Sequence, residues 1–408
     1  MKYEIKSTIK KIRKHLKLFF FTKKSVLYRG FSSVDLLIFD DIFPHPVSGF
    51  RLEEFTILLQ RFEKSKIVVA PTAYVVVNSK IKDHNRDCTL FVEQYPNLKS
   101  KVRINKKFVN INTKLFYCIF IHNIFNNLHW LEKYKIPFVF TLYPGGGFKL
   151  NDLECDFKLR KVLSSPQFRQ VIVTQKITRD YLITNGFCSK EKITFVFGGV
   201  VPQHSLVTNA AEIKEEHTEQ DTFNVCFCAA KYMPQGLDKG YDVFIEAANS
   251  LSKKYDQVHF HVIGGFGPDD IDVTSFKNRI FFYGYQNHDS LSTIFKNMDV
   301  IVSPNKAFVL DKGAFDGFPL GTVIEAALNN VVVLMTDELK QNNNTFVPDV
   351  DFILIQSTPI SIVEAVERLM TNDALAQRIK ENSLQKFRTV YSNETQMNPR
   401  IAVLKKYI

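Results

Sequence analysis

The sequence predicts an α/β protein with two Rossmann-like domains that face each other across a cleft. Strands of buried type alternate with amphipathic helices in both halves of the chain, which is typical of parallel sheets covered by helices on both faces. A polar, acid-rich segment at residues 200–222 separates the halves. The length of 408 residues exceeds one ordinary core and suits two domains of roughly 150 to 200 residues each.

The predicted organisation has five parts. They are a basic amphipathic N-terminal arm at 1–25, a first domain at 26–199, a linker at 200–222, a second domain at 223–390 and a C-terminal tail at 391–408.

The strands and helices follow from hydrophobic periodicity and from Gly, Pro and Asn at the breaks. In the first half the predicted strands are 33–42, 66–70, 115–121, 138–142, 171–174 and 193–197, and the helices are 51–62, 125–133, 156–163 and 177–184. Between 79 and 107 the signal is weak, and only short elements are predicted there. In the second half the predicted strands are 223–228, 258–263, 280–283, 300–303, 331–335 and 352–355, and the helices are 241–254, 290–296, 322–328, 360–370 and 374–390.

The net charge of +11 is concentrated at the start of the chain. Residues 1–24 hold nine Lys or Arg and one Glu, so +8 of the +11 lies there, and the near-neutral remainder argues against nucleic-acid binding. Apolar residues recur in this arm at helical spacing, which is typical of a helix on an anionic membrane surface. A helix packed on the protein body, or a solvated tail, is the alternative interpretation.

The expected compartment is the cytoplasm, alternatively the inner face of the membrane as a peripheral protein. No apolar run approaches the roughly 20 residues that span a bilayer, and no cleavage site follows the basic start of the chain. The six cysteines are scattered, which predicts buried thiols in a reducing compartment.

The stretch 311–337 carries the clearest chemical signal. A loop rich in glycine leads into the predicted helix 322–328, and Gly317, Phe318, Leu320 and Gly321 supply backbone N–H groups before its first turn. Unpaired amides and the positive end of the helix dipole suit phosphate oxygens. Glu325, one turn further, is placed to accept hydrogen bonds from a vicinal diol, so the stretch predicts a site for a nucleotide diphosphate.

Three blocks of the second half resemble the donor-binding domain of retaining glycosyltransferases of family 4, which have the GT-B fold. They are FCAAKYMPQGLDKGYDVFIEAANSL at 227–251, FFYGYQNHDSLSTIFKNMDVIVSP at 281–304 and FDGFPLGTVIEAALNNVVVLMTD at 315–337. The first half resembles the family through DDIFPHPVSGF, IHN, IPFVFTLYPGGG, VIVTQ and KITFVFGGV, so that the resemblance covers about residues 33–390.

The resemblance implies roles for the acids of the third block. Glu325 matches the second acid of the family's paired-glutamate motif and would hold the ribose hydroxyls. Asp316 would match the first acid, which contacts the transferred sugar. The family usually has seven residues between these acids, whereas eight separate Asp316 from Glu325, and a turn-forming Asp before Gly317 is the alternative.

The resemblance also implies how the donor is held. Lys231 and Lys239 match the family's basic pair, which faces the donor diphosphate and stabilises the charge that develops on the leaving group. The implied donor-binding backbone consists of Gly317, Phe318, Pro319, Leu320, Gly321 and Thr322 beside the phosphates and Tyr283, Gly284 and Tyr285 beside the base.

Candidates on the acceptor side come from loops after predicted strands of the first domain. Gly49 and the run Gly145, Gly146 and Gly147 let the backbone approach a ligand closely, or alternatively make turns. Tyr143 stands where many family members have a His that contacts the donor or the reacting sugar. His122 is the nearest alternative, unless it is a structural His that hydrogen-bonds its own loop.

The predicted function is transfer of a sugar from a nucleotide-diphosphate sugar to a glycan or lipid-linked acceptor, with retention, in the synthesis of cell-surface polysaccharide or glycolipid. No metal ion and no other cofactor is expected, because the pairs Asp40-Asp41 and Asp269-Asp270 lack evident partner ligands.

The alternative functions are those of a nucleotide-sugar 2-epimerase on the same fold and of a noncatalytic protein that binds a nucleotide sugar or nucleic acid. A dinucleotide oxidoreductase is disfavoured, because the glycines at 264–267 lack the full fingerprint.

Overall fold

The computed structural model describes residues 26–75, 77, 79–104, 108–202 and 222–408. The predicted N-terminal arm at 1–25 lies outside the described residues, and so does most of the predicted linker. The membrane interaction expected of residues 1–24 and the domain limits at the linker therefore stay predictions.

The first half of the chain forms a parallel sheet. Within the described residues it has seven strands in the order β3-β2-β1-β4-β5-β6-β7. The strands are β1 (Val26–Asp40), β2 (Ser65–Val69), β3 (Val102–Ile104), β4 (Phe108–Ile119), β5 (Phe138–Leu142), β6 (Phe168–Val173) and β7 (Ile193–Phe195). The helices are α1 (Gly49–Arg61), α2 (Asp83–Gln94), α3 (Ile121–Lys133), α4 (Leu153–Leu163) and α5 (Lys176–Thr184).

The second half forms another parallel sheet. Its six strands within the described residues run in the order β10-β9-β8-β11-β12-β13. The strands are β8 (Phe223–Ala229), β9 (Val258–Gly264), β10 (Ile280–Gly284), β11 (Val300–Ser303), β12 (Val332–Met335) and β13 (Ile353–Leu354). The helices are α6 (Tyr241–Lys254), α7 (His288–Phe295), α8 (Gly321–Leu328), α9 (Pro359–Met370), α10 (Asp373–Val390) and α11 (Asn393–Lys405).

Each sheet is buried on both faces. Successive strand residues point to opposite sides, so Phe116 and Tyr117 of β4 belong to separate buried clusters, as do Phe227 and Cys228 of β8. A parallel sheet with a core on each face is what continuous apolar strands predict. The prediction of two Rossmann-like α/β domains is confirmed.

Helix α2 corrects the expectation of only short elements between 79 and 107. Two of its buried residues are polar: His84 Nε2 hydrogen-bonds the carbonyl of Phe43 at 3.1 Å, and Asp87 accepts from the hydroxyl of Tyr74 at 2.9 Å. Because Phe91 is the only apolar residue that α2 buries, the helix shows no apolar stripe in the sequence.

Helix α11 occupies most of the predicted C-terminal tail and returns to the first domain. Met397, Ile401 and Leu404 belong to the buried cluster that includes Phe55 of α1. Arg400 is fully buried among them and donates to the hydroxyl of Tyr143 at 3.1 Å. The end of the chain therefore forms part of the core of the first domain.

The loop between β11 and α8 also contacts the first domain. The amide of Leu150 donates to the carbonyl of Gly313 at 2.9 Å, and the rings of Phe148 and Phe315 meet edge to face at 5.8 Å. Lys149 forms an ion pair with Asp311 beside them.

We expect Gly313→Ala to loosen this contact. Gly313 has φ of 76°, and an added Cβ would overlap the carbonyl of Leu150. The left-handed conformation alone costs an L-residue about 1–2 kcal/mol. The variant should lower the free energy of unfolding by at least that amount in denaturant titrations. Gly267→Ala is the control, because its added Cβ would meet nothing within 4 Å. Equal stability of the two variants would contradict the prediction.

Candidate functional site

A cavity of about 1270 Å³ lies between the two domains. Its first-domain wall comes from the segments that follow β1, β4, β5 and β6, and its second-domain wall from those that follow β8, β10 and β11. In open parallel sheets, ligands bind beyond the carboxyl ends of the strands. The cavity is therefore where both folds place a binding site.

The loop before α8 forms part of the second-domain wall. Gly317, Pro319, Leu320 and Gly321 line the cavity. The N-cap of α8, Leu320, has no side chain that could accept from the first-turn amides. An added Cβ on Gly321 would meet nothing within 4 Å, so these amides face open space that suits an anion.

Two predicted donor-binding residues use their side chains elsewhere. Phe318 is buried in the core of the second domain, and its carbonyl accepts from Gln175 Nε2 at 3.3 Å. The hydroxyl of Thr322 donates to the carbonyl of Cys228 at 2.9 Å. Neither residue is among those that line the cavity. Their contribution to the loop is to anchor it to the core and to β8.

Lys239 is a buried cation at the second-domain wall. Its side chain is 4% exposed, and its Nζ lies 2.5 Å from Asp316 Oδ2 and 3.7 Å from Asp238 Oδ2. The ring of Tyr232 lies 5.0 Å from the same Nζ. Asp316, Asp238 and Tyr232 line the cavity, whereas Lys239 stands directly behind them.

Asp316 is joined to Lys239 in spite of its unusual spacing from Glu325. Its Oδ2 also accepts from Asn305 Nδ2 at 2.8 Å, and its side chain remains 35% exposed. The carboxylate therefore holds the buried ammonium and still faces the cavity. These contacts do not test whether Asp316 takes the place of the first acid of the motif, so that role stays a prediction.

Lys231 lies at the cavity surface and forms an ion pair with Asp270. Asp270 also accepts from the amide of Gly267 at 3.0 Å, which fixes the carboxylate. The ion pair with Lys231 and the Gly267 hydrogen bond lower the pKa of Asp270 against the opposing effect of burial. The sequence does not reveal that Asp270 is the partner of Lys231, because 39 residues separate the two.

Glu325 lies one helical turn beyond the cavity-lining Gly321, on the same face of α8. It is 16% exposed and does not itself line the cavity. Its Oε2 lies 3.0 Å from Nδ1 of His288, the first residue of α7. The predicted diol-binding acid therefore has a histidine partner that the sequence did not reveal.

Of the three predicted base-binding residues, the structure brings Tyr285 to the cavity and leaves Tyr283 and Gly284 out of its lining. Gly284 has φ of 66°, which ends β10 and redirects the chain. The hydroxyl of Tyr283 is paired instead with His261 Nδ1 at 2.9 Å. Tyr285 is 55% exposed, and its hydroxyl accepts from the amide of Lys231 at 3.3 Å.

The glycine run after β5 forms part of the first-domain wall. Gly145, Gly146 and Gly147 line the cavity with φ of 79°, 56° and 87°. An added Cβ on Gly146 would overlap the ring of Phe120. The run is thus a tight turn that also forms cavity surface, and its close approach to a ligand stays a prediction.

His122 lies at the same wall and is held from both sides. Its Nδ1 bonds the carbonyl of Gly146, and its Nε2 lies 2.8 Å from Asp41 Oδ2. Burial lowers the pKa of His122, but the hydrogen bond and charge of Asp41 outweigh it and raise the pKa. The carboxylate of Asp41 compensates a cationic imidazole, whereas Arg51, whose Nη1 lies 2.5 Å from Asp41 Oδ1, opposes it. His122 bonds its own wall and also faces the cavity.

Two other acceptor-side candidates are placed differently. Tyr143 lines the cavity, but its hydroxyl is directed into the core, where it donates to Glu54 Oε2 at 2.8 Å and accepts from Arg400. Gly49 starts α1 and packs towards Pro202, and it does not line the cavity. The sequence missed Asp41 and Arg51, although an acid pair at the end of β1 was a visible signal.

No group of three or more His, Cys, Asp or Glu side chains suited to a metal ion occurs among the residues that the structure describes. Over the same residues, no helix has the length and apolar character needed to cross a bilayer. All six cysteines lie in the described part of the chain and are free thiols.

Two Rossmann-like domains with a site between the carboxyl ends of their sheets define the GT-B fold, as the sequence predicted. Residues 209–386 match the family model described as Glycosyl transferases group 1. This match covers most of the second half of the chain, including the loop before α8 and both Lys231 and Lys239. No curated protein sequence matches the chain significantly.

Solved structures resemble the whole described fold at low sequence identity. The Anabaena HepE protein in complex with UDP is 13% identical with a TM-score of 0.67, and the alignment covers 92% of this chain and 100% of that one. A glycosyltransferase from Rickettsia africae is 12% identical with a TM-score of 0.62, covering 92% and 99%. The sucrose-phosphate synthase of Thermosynechococcus elongatus is 14% identical with a TM-score of 0.59, covering 91% and 97%.

Proposed function

We propose that the protein is a glycosyltransferase that moves a hexose-type sugar from a nucleotide-diphosphate sugar to a glycan or lipid-linked acceptor with retention of configuration. The observation that carries this proposal is the uncapped start of α8, which opens into the cavity. Lys231 lines the same cavity, and Lys239 lies behind its wall, paired with Asp316. The group 1 family match of the second half supports it. HepE has been crystallised with UDP and with UDP-glucose, which supports a donor of this class.

In the proposed complex the diphosphate accepts hydrogen bonds from the amides around Gly317 and Gly321, and Glu325 receives the ribose hydroxyls. Lys231 exchanges part of its contact with Asp270 for phosphate oxygen. Asp316 and Tyr232 lie between Lys239 and the cavity, so the positive charge of Lys239 acts on the leaving phosphate from behind these two side chains. Fixed cations in a site that excludes water stabilise the developing charge without reorganisation.

The proposed reaction breaks the bond between the anomeric carbon and the phosphate oxygen and forms a new bond to the acceptor oxygen on the same face. The acceptor's proton passes to the departing phosphate, so the reaction needs no carboxylate base. The acceptor approaches from the wall of Gly145–Gly147 and His122, where imidazole and peptide groups can orient a hydroxyl. No resident cofactor or metal enters this proposal.

The proposed setting is synthesis of cell-surface polysaccharide or glycolipid in the cytoplasm or at the inner face of the membrane. Residues 1–24 would supply the attraction to anionic lipid through their +8 charge. Such an arrangement would bring a lipid-linked acceptor to the cavity.

The proposed glycosyltransferase activity can be tested by measuring the release of nucleoside diphosphate from a panel of UDP-, GDP- and ADP-sugars. One base should be preferred, and Glu325→Ala should reduce kcat/KM for that donor by about tenfold to a hundredfold, because hydrogen bonds to a charged group each contribute about 1.5–3 kcal/mol. Glu364→Ala, on the exposed face of α9, is the matched control and should behave as the wild type.

Two results would contradict the proposal. The first is that Glu325→Ala has the same kcat/KM as the wild type on a donor that the wild type uses. The other is conversion of the donor into an epimer without release of nucleotide, which would identify an epimerase on this fold.

A further inference from the structure

His288 lies where α7 meets α8, in contact with Glu325. Its Nδ1 is 3.0 Å from Glu325 Oε2, and the two side chains are 19% and 16% exposed. The start of α7 is fixed by Asn287, whose side chain accepts from the amide of Ser290 at 2.9 Å. The backbone that carries His288 is therefore anchored independently of Glu325.

The surroundings of His288 favour the imidazolium. Burial lowers its pKa, but the hydrogen bond and charge of Glu325 outweigh this and raise it, with further contributions from Asp289 and Glu53. Asp289 neighbours it on α7, and Glu53 belongs to α1 of the first domain. A charged hydrogen bond is shorter than a neutral one and roughly twice as strong.

A carboxylate that reads a vicinal diol must keep one orientation. Glu has three side-chain torsions, and fixing them costs conformational entropy on binding unless they are already restrained. A donor on Oε2 restrains the plane of the Glu325 carboxylate before any ligand arrives. The remaining acceptor positions of that carboxylate are then preorganised for two hydroxyl groups.

We propose that His288 is a positioning residue that orients Glu325 and thereby makes the site select ribonucleotides over 2′-deoxyribonucleotides. The inference rests on the proposed function, since it takes Glu325 as the group that receives the ribose. The inference assigns selection of the ribose to a residue that lies outside the third sequence block. Its effect depends on the 2′-hydroxyl, so it is measurable apart from the affinity for the diphosphate.

The test compares dissociation constants for UDP and 2′-deoxy-UDP, measured by calorimetry on the full chain. The wild type should prefer UDP by about tenfold, the value of one charge-assisted hydrogen bond at its lower limit. His288→Ala should reduce this ratio to about twofold or less. His288→Asn should restore most of it, because the Asn Nδ2 group can donate from nearly the same place as Nδ1.

His259→Asn is the matched control, since it changes a histidine of the same domain on β9, away from α8. It should keep the wild-type ratio. As pH rises through the raised pKa of His288, the hydrogen bond to Glu325 loses its charge but a neutral Nδ1–H can still donate. The wild-type ratio should therefore fall towards that of His288→Asn and not below it, whereas the ratio of His288→Asn should stay constant. A ratio in His288→Ala equal to the wild-type ratio would overturn the inference.

Failure of the inference can be told from failure of the proposed function. If Glu325→Ala abolishes the preference for UDP while His288→Ala retains it, the inference alone is wrong. If the wild type binds both nucleotides equally, or Glu325→Ala leaves the ratio unchanged, Glu325 does not read the ribose, and the inference fails together with the role assigned to Glu325. Sugar transfer itself is tested separately, by the release of nucleoside diphosphate from the donor panel. Should guanine be the preferred base in the donor panel, GDP and 2′-deoxy-GDP replace the uridine pair.

Discussion

Lys239→Ala should lower kcat/KM for the preferred donor by about a hundredfold to a thousandfold, the range found when one fixed donor to a developing negative charge is removed. Lys239 is 4% exposed and is held by Asp316 at 2.5 Å. Its removal takes a cation from the leaving group and leaves two carboxylates, Asp316 and Asp238, facing the same phosphate. Both changes oppose departure of the nucleoside diphosphate.

Steady-state kinetics of donor hydrolysis, with a circular dichroism spectrum for each variant, would check this prediction. Lys239→Arg keeps the charge and should retain more activity than Lys239→Ala. Lys253→Ala, at the exposed end of α6, is the matched control and should be neutral. A folded Lys239→Ala protein with more than half of wild-type kcat/KM would contradict the assigned role.

Arg400→Leu should lower the free energy of unfolding by about 3–5 kcal/mol, because removal of one partner leaves a buried charge without compensation. Arg400 and Glu54 are both 0% exposed, with Arg400 Nε 3.9 Å from Glu54 Oε2. The remaining partners of Glu54 are the hydroxyls of Tyr117 and Tyr143, which are neutral donors. Arg400 lies on α11, which also places Met397, Ile401 and Leu404 in this core.

Urea titrations of Arg400→Leu and of the double variant Glu54→Gln/Arg400→Leu would measure this effect. The double variant should recover a large part of the loss, since it removes the uncompensated charge while the tyrosines keep an acceptor. Lys405→Leu, exposed at the end of the same helix, controls for the change of residue type. A loss below 1 kcal/mol in Arg400→Leu would show that the buried ion pair is not needed for stability.

Local patterning predicted the elements that are long and regular. The helix at 241–254 and the strands at 138–142 and 300–303 begin and end where the sequence placed them. Helix α11 could not be predicted in the same way, because its buried face includes the polar residues Gln396 and Arg400 and Pro399 lies within the helix. Its position depends on Arg400 and on a cluster assembled from α1 and β4, which are distant in the sequence.

The sequence predicts those parts of the candidate site that one continuous segment forms. It does not predict contacts between segments that are distant in the sequence. The loop before α8 lines the cavity as expected from its glycines and from the start of the helix. The partners Asp270, Asn305 and His288 lie outside the third sequence block, and nothing local to them indicates which residue they contact. Tyr283 and Gly284 do not line the cavity, and their part in binding the base stays a prediction.

The most direct measurement is a crystal structure of the protein with a bound nucleoside diphosphate. The account predicts phosphate oxygens on the amides between Gly317 and Thr322, within reach of Lys231 and Lys239, and a ribose whose hydroxyls contact Glu325. A nucleotide bound elsewhere, or a cavity that stays empty at saturating nucleotide, would contradict the account.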